Sequence, residues 1–201
     1  MEVFRYGQAE IDHLKARDRT LGRAIDRIGI IERPVHPDVF SALAHSIVAQ
    51  QISGAAARTV WTRLVARFGA ITPEIVQAAA VEDIQKCGLS MRKASYLKGI
   101  GEAVVDGALD LDALRDLPDD EVIARLSSLR GIGIWTAEMV LIFAMQRPDV
   151  VSWGDLAIRR GMMRLYEHDE IDRPTFDRFR QRYSPYGSVA SLYLWRVAAE
   201  R

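Results

Sequence analysis

Residues Leu129 to Asp155 read L-R-G-I-G-I-W-T-A-E-M-V-L-I-F-A-M-Q-R-P-D-V-V-S-W-G-D. Gly131 and Gly133 interrupt what would otherwise be one helical pattern. Glu121 to Leu129 is amphipathic, and Ile134 to Met145 is almost wholly apolar. Glycine tolerates positive φ and lets another backbone come close. The spacing therefore predicts a tight hairpin between two helices, with backbone N–H groups exposed at the start of the second. Such groups suit an anion, above all a phosphate. Beyond the apolar helix a Trp153-Gly154 turn delivers one carboxylate, Asp155, ahead of another helix.

Working outward, the bulk numbers narrow the classes. The chain has 201 residues and is 49% hydrophobic, enough for one large domain or two small ones with a real core. No apolar run reaches the roughly 18 residues of a membrane span, and no signal-peptide pattern opens the chain. Cys87 is the single cysteine, which excludes an intramolecular disulfide framework and a four-cysteine metal or iron–sulfur site and fits a reducing cytoplasm. Basic and acidic residues number 27 each, so a nucleic-acid surface would require charge segregated onto one face.

The rest of the chain reads as helices. Residues 1–35 show helical spacing (Ile11, Leu14, Leu21, Ile25, Ile28) after a short aromatic start, and Arg33 to Pro37 reads as a linker. Asp38 caps a helix that ends at Gln50-Gln51-Ile52, and Ser53 opens the next, which stops at Gly69. Two glutamines at such a junction are either a polar turn or a tip that enters a duplex and fills the gap left by an extruded base. Thr72-Pro73 starts a short helix to about Cys87, and Ser90 caps another to Val105. Arg92, Lys93 and Lys98 on the latter suit either phosphate contact or a solvated face. Pro118 starts the helix into the hairpin. Helices after Asp155, after Pro174 and after Gly187 complete the chain. Without any strand alternation the expected class is all-α, about ten helices.

The hairpin followed by an aspartate at this distance resembles the helix-hairpin-helix and Gly/Pro…Asp signature of the DNA glycosylase superfamily. Trp135 just inside the second hairpin helix, Q-Q-I-S at Gln50 to Ser53, and Trp195 in the last helix are similar to the alkylation-repair branch, the 3-methyladenine DNA glycosylase II type. The resemblance covers Pro37 to the end. It implies two helical lobes with a cleft between them: a central lobe, 37–146, with the hairpin motif at about 121–146, and a second lobe of 1–36 plus 147–201 that carries Asp155. The amino-terminal β domain of some bacterial members does not fit into the 36 residues before the central lobe.

The resemblance also implies roles. Asp155 would stabilise oxocarbenium character at the sugar and orient or deprotonate the attacking water, although an aspartate before a helix is also an ordinary N-cap. Trp135, Met139, Trp195 and Trp153 are candidates for the base pocket, since a cation over a tryptophan face gains roughly 0.5–2 kcal/mol; core packing is the competing reading for the tryptophans. Gln51 or Ile52 would be the wedge. Gly131, Gly133 and Ile134, with the Thr136 hydroxyl, would hold a DNA phosphate. Backbone carbonyls of Ser127, Leu129 and Ile132 would hold a monovalent cation, Na+ or K+; no other cofactor is expected. Strand-nicking members carry a lysine at the Trp135 position to form a Schiff base. No lysine follows Lys98, so the expected activity is monofunctional: removal of N3- or N7-alkylated purines from double-stranded DNA by a monomer. The alternatives are a glycosylase for oxidised or mismatched bases and a non-catalytic DNA-binding module.

Overall fold

The computed structural model describes residues 2–200 and is all-α. Among the described residues there are twelve α-helices and one 3-10 turn, with the bridge Val3–Pro34 as the only β pairing. The expected ten helices become twelve at two places. Residues 1–35 hold two helices, α1 (Gln8–Arg17) and α2 (Arg19–Ile28). Asp18 separates them because its Oδ1 accepts the Thr20 and Leu21 N–H groups and starts a new helix. The segment after Thr72 holds α5 (Pro73–Ala78) and α6 (Val81–Gln85), broken where Ala79 and Ala80 turn extended.

The chain divides into two compact units, Met1–Val35 with Leu141–Arg201, and His36–Val140. The second division falls between Val140 and Leu141, inside α9 (Ile134–Phe143). It therefore lies earlier than the Gln146 boundary read from the sequence.

The His36–Val140 unit contains α3 (Val39–Ala49), α4 (Gly54–Phe68), α5, α6, α7 (Met91–Val105), the 3-10 turn Ala113–Asp116, α8 (Asp119–Ser127) and the start of α9. Local caps set the boundaries. Asp38, Ser53, Thr72 and Ser90 each accept an N–H from the first turn of the helix they start. Its core includes Phe40, Leu43, Ile47, Leu64, Leu97 and Val122, all essentially inaccessible.

The other unit contains α1, α2, the end of α9, α10 (Leu156–Tyr166), α11 (Arg173–Tyr183) and α12 (Gly187–Ala199). Here α10 and α12 cross so closely that a Cβ on Gly161 would stand 2.8 Å from the carbonyl carbon of Leu194. The buried Asp18 ties three helices together: Oδ1 caps α2, while Oδ2 accepts the Tyr166 hydroxyl at 2.8 Å and Arg182 at 3.2 Å. Tyr166 and Tyr183 are hydroxyl-bonded at 2.7 Å, and burial pushes both phenols well above their ordinary range.

Candidate functional site

The two hairpin glycines do different work. Gly131 has φ 91°, and an added Cβ would lie 2.7 Å from Cγ of Tyr96 on α7, so the turn needs glycine for both backbone and space. Gly133 has no neighbour within 4 Å of such a Cβ. Its carbonyl accepts Ala137 N–H at 3.0 Å, which makes it the residue at the head of α9. The first N–H groups of a helix have no intrahelical acceptor. Here they follow an open glycine, with Ile134 62% and Trp135 47% exposed. A helix start of this kind carries positive partial charge, and the space beside Gly133 is open. Thr136, expected to add its hydroxyl, is buried at 5% exposure, whereas Gly133 and Ile134 are exposed residues. The Leu129 carbonyl accepts Ile132 N–H at 3.1 Å and retains a second lone pair. Met139, one helical turn on from Trp135, is half-buried.

Core packing does not account for Trp135, which opens the apolar α9 at an exposed position. An exposed flat aromatic at the head of a helix suits a planar or cationic ligand.

In the same unit, the Gln50-Gln51 junction separates into two unlike residues. Gln51 has φ 56° and is exposed, as is Ile52 at 40%. Gln50 turns inward, and its Nε2 donates to the Gly131 carbonyl at 2.7 Å. Lys93 donates to the carbonyls of Val48 at 2.9 Å and Gln50 at 2.5 Å. It is neither a solvated cation nor a phosphate contact. Burial, with Arg92 adding repulsion, pushes its ammonium below the ordinary lysine range. Lys98 does the same for α5, donating to the carbonyls of Gln77 and Ala79. Both lysines neutralise the negative end of a helix. Sequence patterning could not find these roles, because the acceptors lie on other helices; the doubled glutamine was the only local signal.

In the other unit, Asp155 is 7% exposed and is the N-cap of α10. Its Oδ1 accepts Ala157 N–H at 2.8 Å and Ile158 N–H at 3.0 Å. The carboxylate thus sits at the positive end of α10 in a single orientation. The segment before it is stitched to α12. Ser188 Oγ donates to Arg147 O at 2.6 Å and accepts Val150 N–H at 3.0 Å, and Ser191 Oγ donates to Val150 O at 2.9 Å. Asp149 accepts Gly187 N–H at 3.0 Å.

Trp195 is half-buried and stacks on Phe143 with ring centroids 5.5 Å apart, while the Arg33 guanidinium lies over Phe143. Trp153 is clamped instead. Arg159 and Arg173 lie over its ring at 4.9 and 5.6 Å, and Phe176 meets it edge-on. Its π surface already serves two cations, which fits a structural role in place of the expected pocket role.

The structure therefore places Gln51, Ile52, Gly131, Gly133, Ile134, Trp135 and Met139 in one unit, and Trp153, Asp155 and Trp195 in the other. Comparison with known proteins decides the family. The profile of the HhH-GPD superfamily of base excision DNA repair proteins matches residues 44–185, spanning the Gln50–Ile52 junction, the glycine hairpin and Asp155. The chain belongs to this superfamily. It is 31% identical over 200 residues to DNA-3-methyladenine glycosylase 1 of Schizosaccharomyces pombe, covering 95% of this chain and 87% of the relative. Its structure is similar to the crystal structure of DNA-3-methyladenine glycosidase from Bacillus halodurans, with TM-score 0.88, 34% identity and coverage of 99% and 93% of the two chains. It is also similar to the Schizosaccharomyces pombe 3-methyladenine DNA glycosylase in complex with abasic DNA, with TM-score 0.80, 28% identity and coverage of 94% and 96%. Among the described residues no helix is long and apolar enough to cross a membrane.

Proposed function

We infer that this HhH-GPD protein is a DNA glycosylase of base excision repair. It hydrolyses the bond between deoxyribose C1′ and an N3- or N7-alkylated purine and leaves an abasic site. The observation that carries the reading is Asp155, a buried carboxylate fixed by two N–H bonds at the head of α10 within the stretch matched by the superfamily.

The chemistry follows from the substrate. An N-alkylated purine carries delocalised positive charge and departs as a neutral base, so a strong general acid is not required. As the C1′–N bond lengthens, positive charge builds on the sugar. The Asp155 carboxylate stabilises that charge and accepts the proton of the water that adds to C1′. Its capped oxygen keeps the group from reorienting. The backbone N–H groups around Gly133 and Ile134 hold a phosphate and position the duplex without reading sequence. Gln51 or Ile52 fills the gap left by the extruded base. Trp135 and Trp195 offer aromatic surface to a cationic base. A monovalent cation, where bound, would rest on the carbonyls of Ser127, Leu129 and Ile132 and add positive charge behind the phosphate. Trp135 occupies the position of the lysine in strand-nicking members, which supports hydrolysis without strand cleavage.

Base release from duplexes containing 3-methyladenine, 7-methylguanine, hypoxanthine, 8-oxoguanine or uracil tests the reading. Release of the methylated purines without a strand nick is expected. Release restricted to 8-oxoguanine or uracil would favour a different glycosylase, and duplex binding without any release would favour a binding module.

A further inference from the structure

The wedge loop and the phosphate hairpin are 81 residues apart in sequence, yet they are bonded to each other: Gln50 Nε2 donates to Gly131 O at 2.7 Å. This bond joins the residue before the exposed Gln51–Ile52 tip to the turn that precedes Gly133. Helix α7 braces both partners. Its Lys93 holds the carbonyls of Val48 and Gln50 at the end of α3. Three residues on along the same helical face, Tyr96 packs against Gly131 so tightly that no Cβ fits. Gln51 holds a left-handed φ of 56°. Glu167, exposed at the end of α10, takes the same region, an ordinary way for a helix to end; what is particular to Gln51 is the lysine clamp on the carbonyl just before it. A plain surface turn needs none of this. Water would satisfy the last carbonyls of α3, and a half-buried lysine sacrifices hydration to replace it.

We propose that Gln50 and Lys93 are positioning residues that lock the wedge tip to the phosphate hairpin, so that backbone grip and insertion into the duplex occur as one rigid step. The proposal rests on the glycosylase reading above. A tip that could drift relative to the gripped phosphate would lose registry with the vacated base position. The loss matters when a paired base must be extruded, and matters little when the lesion has no partner.

The experiment compares Gln50→Leu, Lys93→Met, their double variant and the conservative Lys93→Arg. Single-turnover release of 3-methyladenine is measured from a duplex with thymine opposite the lesion and from one with a tetrahydrofuran opposite it. The single variants are expected to lose tenfold or more on the paired duplex and less than threefold on the unpaired one. The double variant should be no worse than the poorer single, because the two residues act as one unit, and Lys93→Arg should recover most of the loss. Equal losses on both duplexes, or no loss on either, would overturn the proposal. A second readout is the fluorescence of 2-aminopurine beside an abasic analogue, which rises when the tip unstacks its neighbour. If the wild-type protein releases no base, the glycosylase reading fails and this signal alone decides the coupling. A reduced rise in the variants supports it, and a wild-type rise in the variants refutes it.

Discussion

Replacing Gly131 with alanine should cost about 2–5 kcal/mol, and the structure separates that figure into two parts. The first is the backbone: a φ of 91° is a region where an L-residue loses roughly 1–2 kcal/mol. The second is steric. The new Cβ would lie 2.7 Å from Tyr96 Cγ and 3.0 Å from Cε2, well inside the optimum of about 3.5–4.0 Å for two carbons. Displacing a packed ring typically costs about 1–3 kcal/mol. A double-mutant cycle with Tyr96→Ala distinguishes them. In the Tyr96→Ala background only the backbone part remains, so Gly131→Ala should then cost about 1–2 kcal/mol, and the coupling should equal the steric part. Urea unfolding followed by circular dichroism reads the midpoints at constant slope. A Gly131→Ala cost under about 0.5 kcal/mol, within the ordinary range for innocuous surface changes, would refute the reasoning. An equal cost in both backgrounds would show that Tyr96 does not constrain the turn.

Other outcomes follow from the same geometry. Gly161→Ala should be more damaging than Gly131→Ala, because the atoms it meets belong to the Leu194 backbone and cannot rotate away; we expect loss of soluble protein or a fall of at least about 3 kcal/mol in urea unfolding. Burial, with His36 adding repulsion, holds His45 below the ordinary histidine range. The folded state therefore favours neutral His45. Its contribution is fully present above the unfolded value of about 6.5 and is lost as pH falls through the lower folded value. Stability measured between pH 7 and 5 should decline, and His45→Phe, which keeps an aromatic ring beside Trp61, should flatten the decline.

Much of this fold is legible locally. The glycine hairpin, the caps at Ser53, Ser90 and Asp38, and the all-α class follow from residue types a few positions apart. What escaped the sequence depends on partners distant in the chain. Asp18 breaks the first helical stretch, and its carboxylate is held by Tyr166 and Arg182 from other helices. Lys93 and Lys98 read as surface cations until the carbonyls they bond are known. Gln50 and Gln51 are identical in type and opposite in role, since one side chain finds Gly131 and the other is left exposed. Trp153 read as a pocket wall until Arg159 and Arg173 were found over its ring. For Asp155 the two readings coexist: the residue is a cap, and capping is what fixes the carboxylate proposed to act.

That coincidence makes Asp155 the direct test. Asparagine caps a helix about as well as aspartate, whereas alanine loses about 1 kcal/mol. Asp155→Asn should therefore keep the wild-type urea midpoint and the wild-type affinity for a duplex with an abasic analogue. Asp155→Ala should lose stability as well as activity. The decisive measurement is the single-turnover rate of 3-methyladenine release by Asp155→Asn. A fall of at least about 100-fold, within the range for losing a positioned base or charge stabiliser, with stability and binding unchanged, is the result predicted. Release within threefold of wild type would contradict the account and return Asp155 to the role of a helix cap alone.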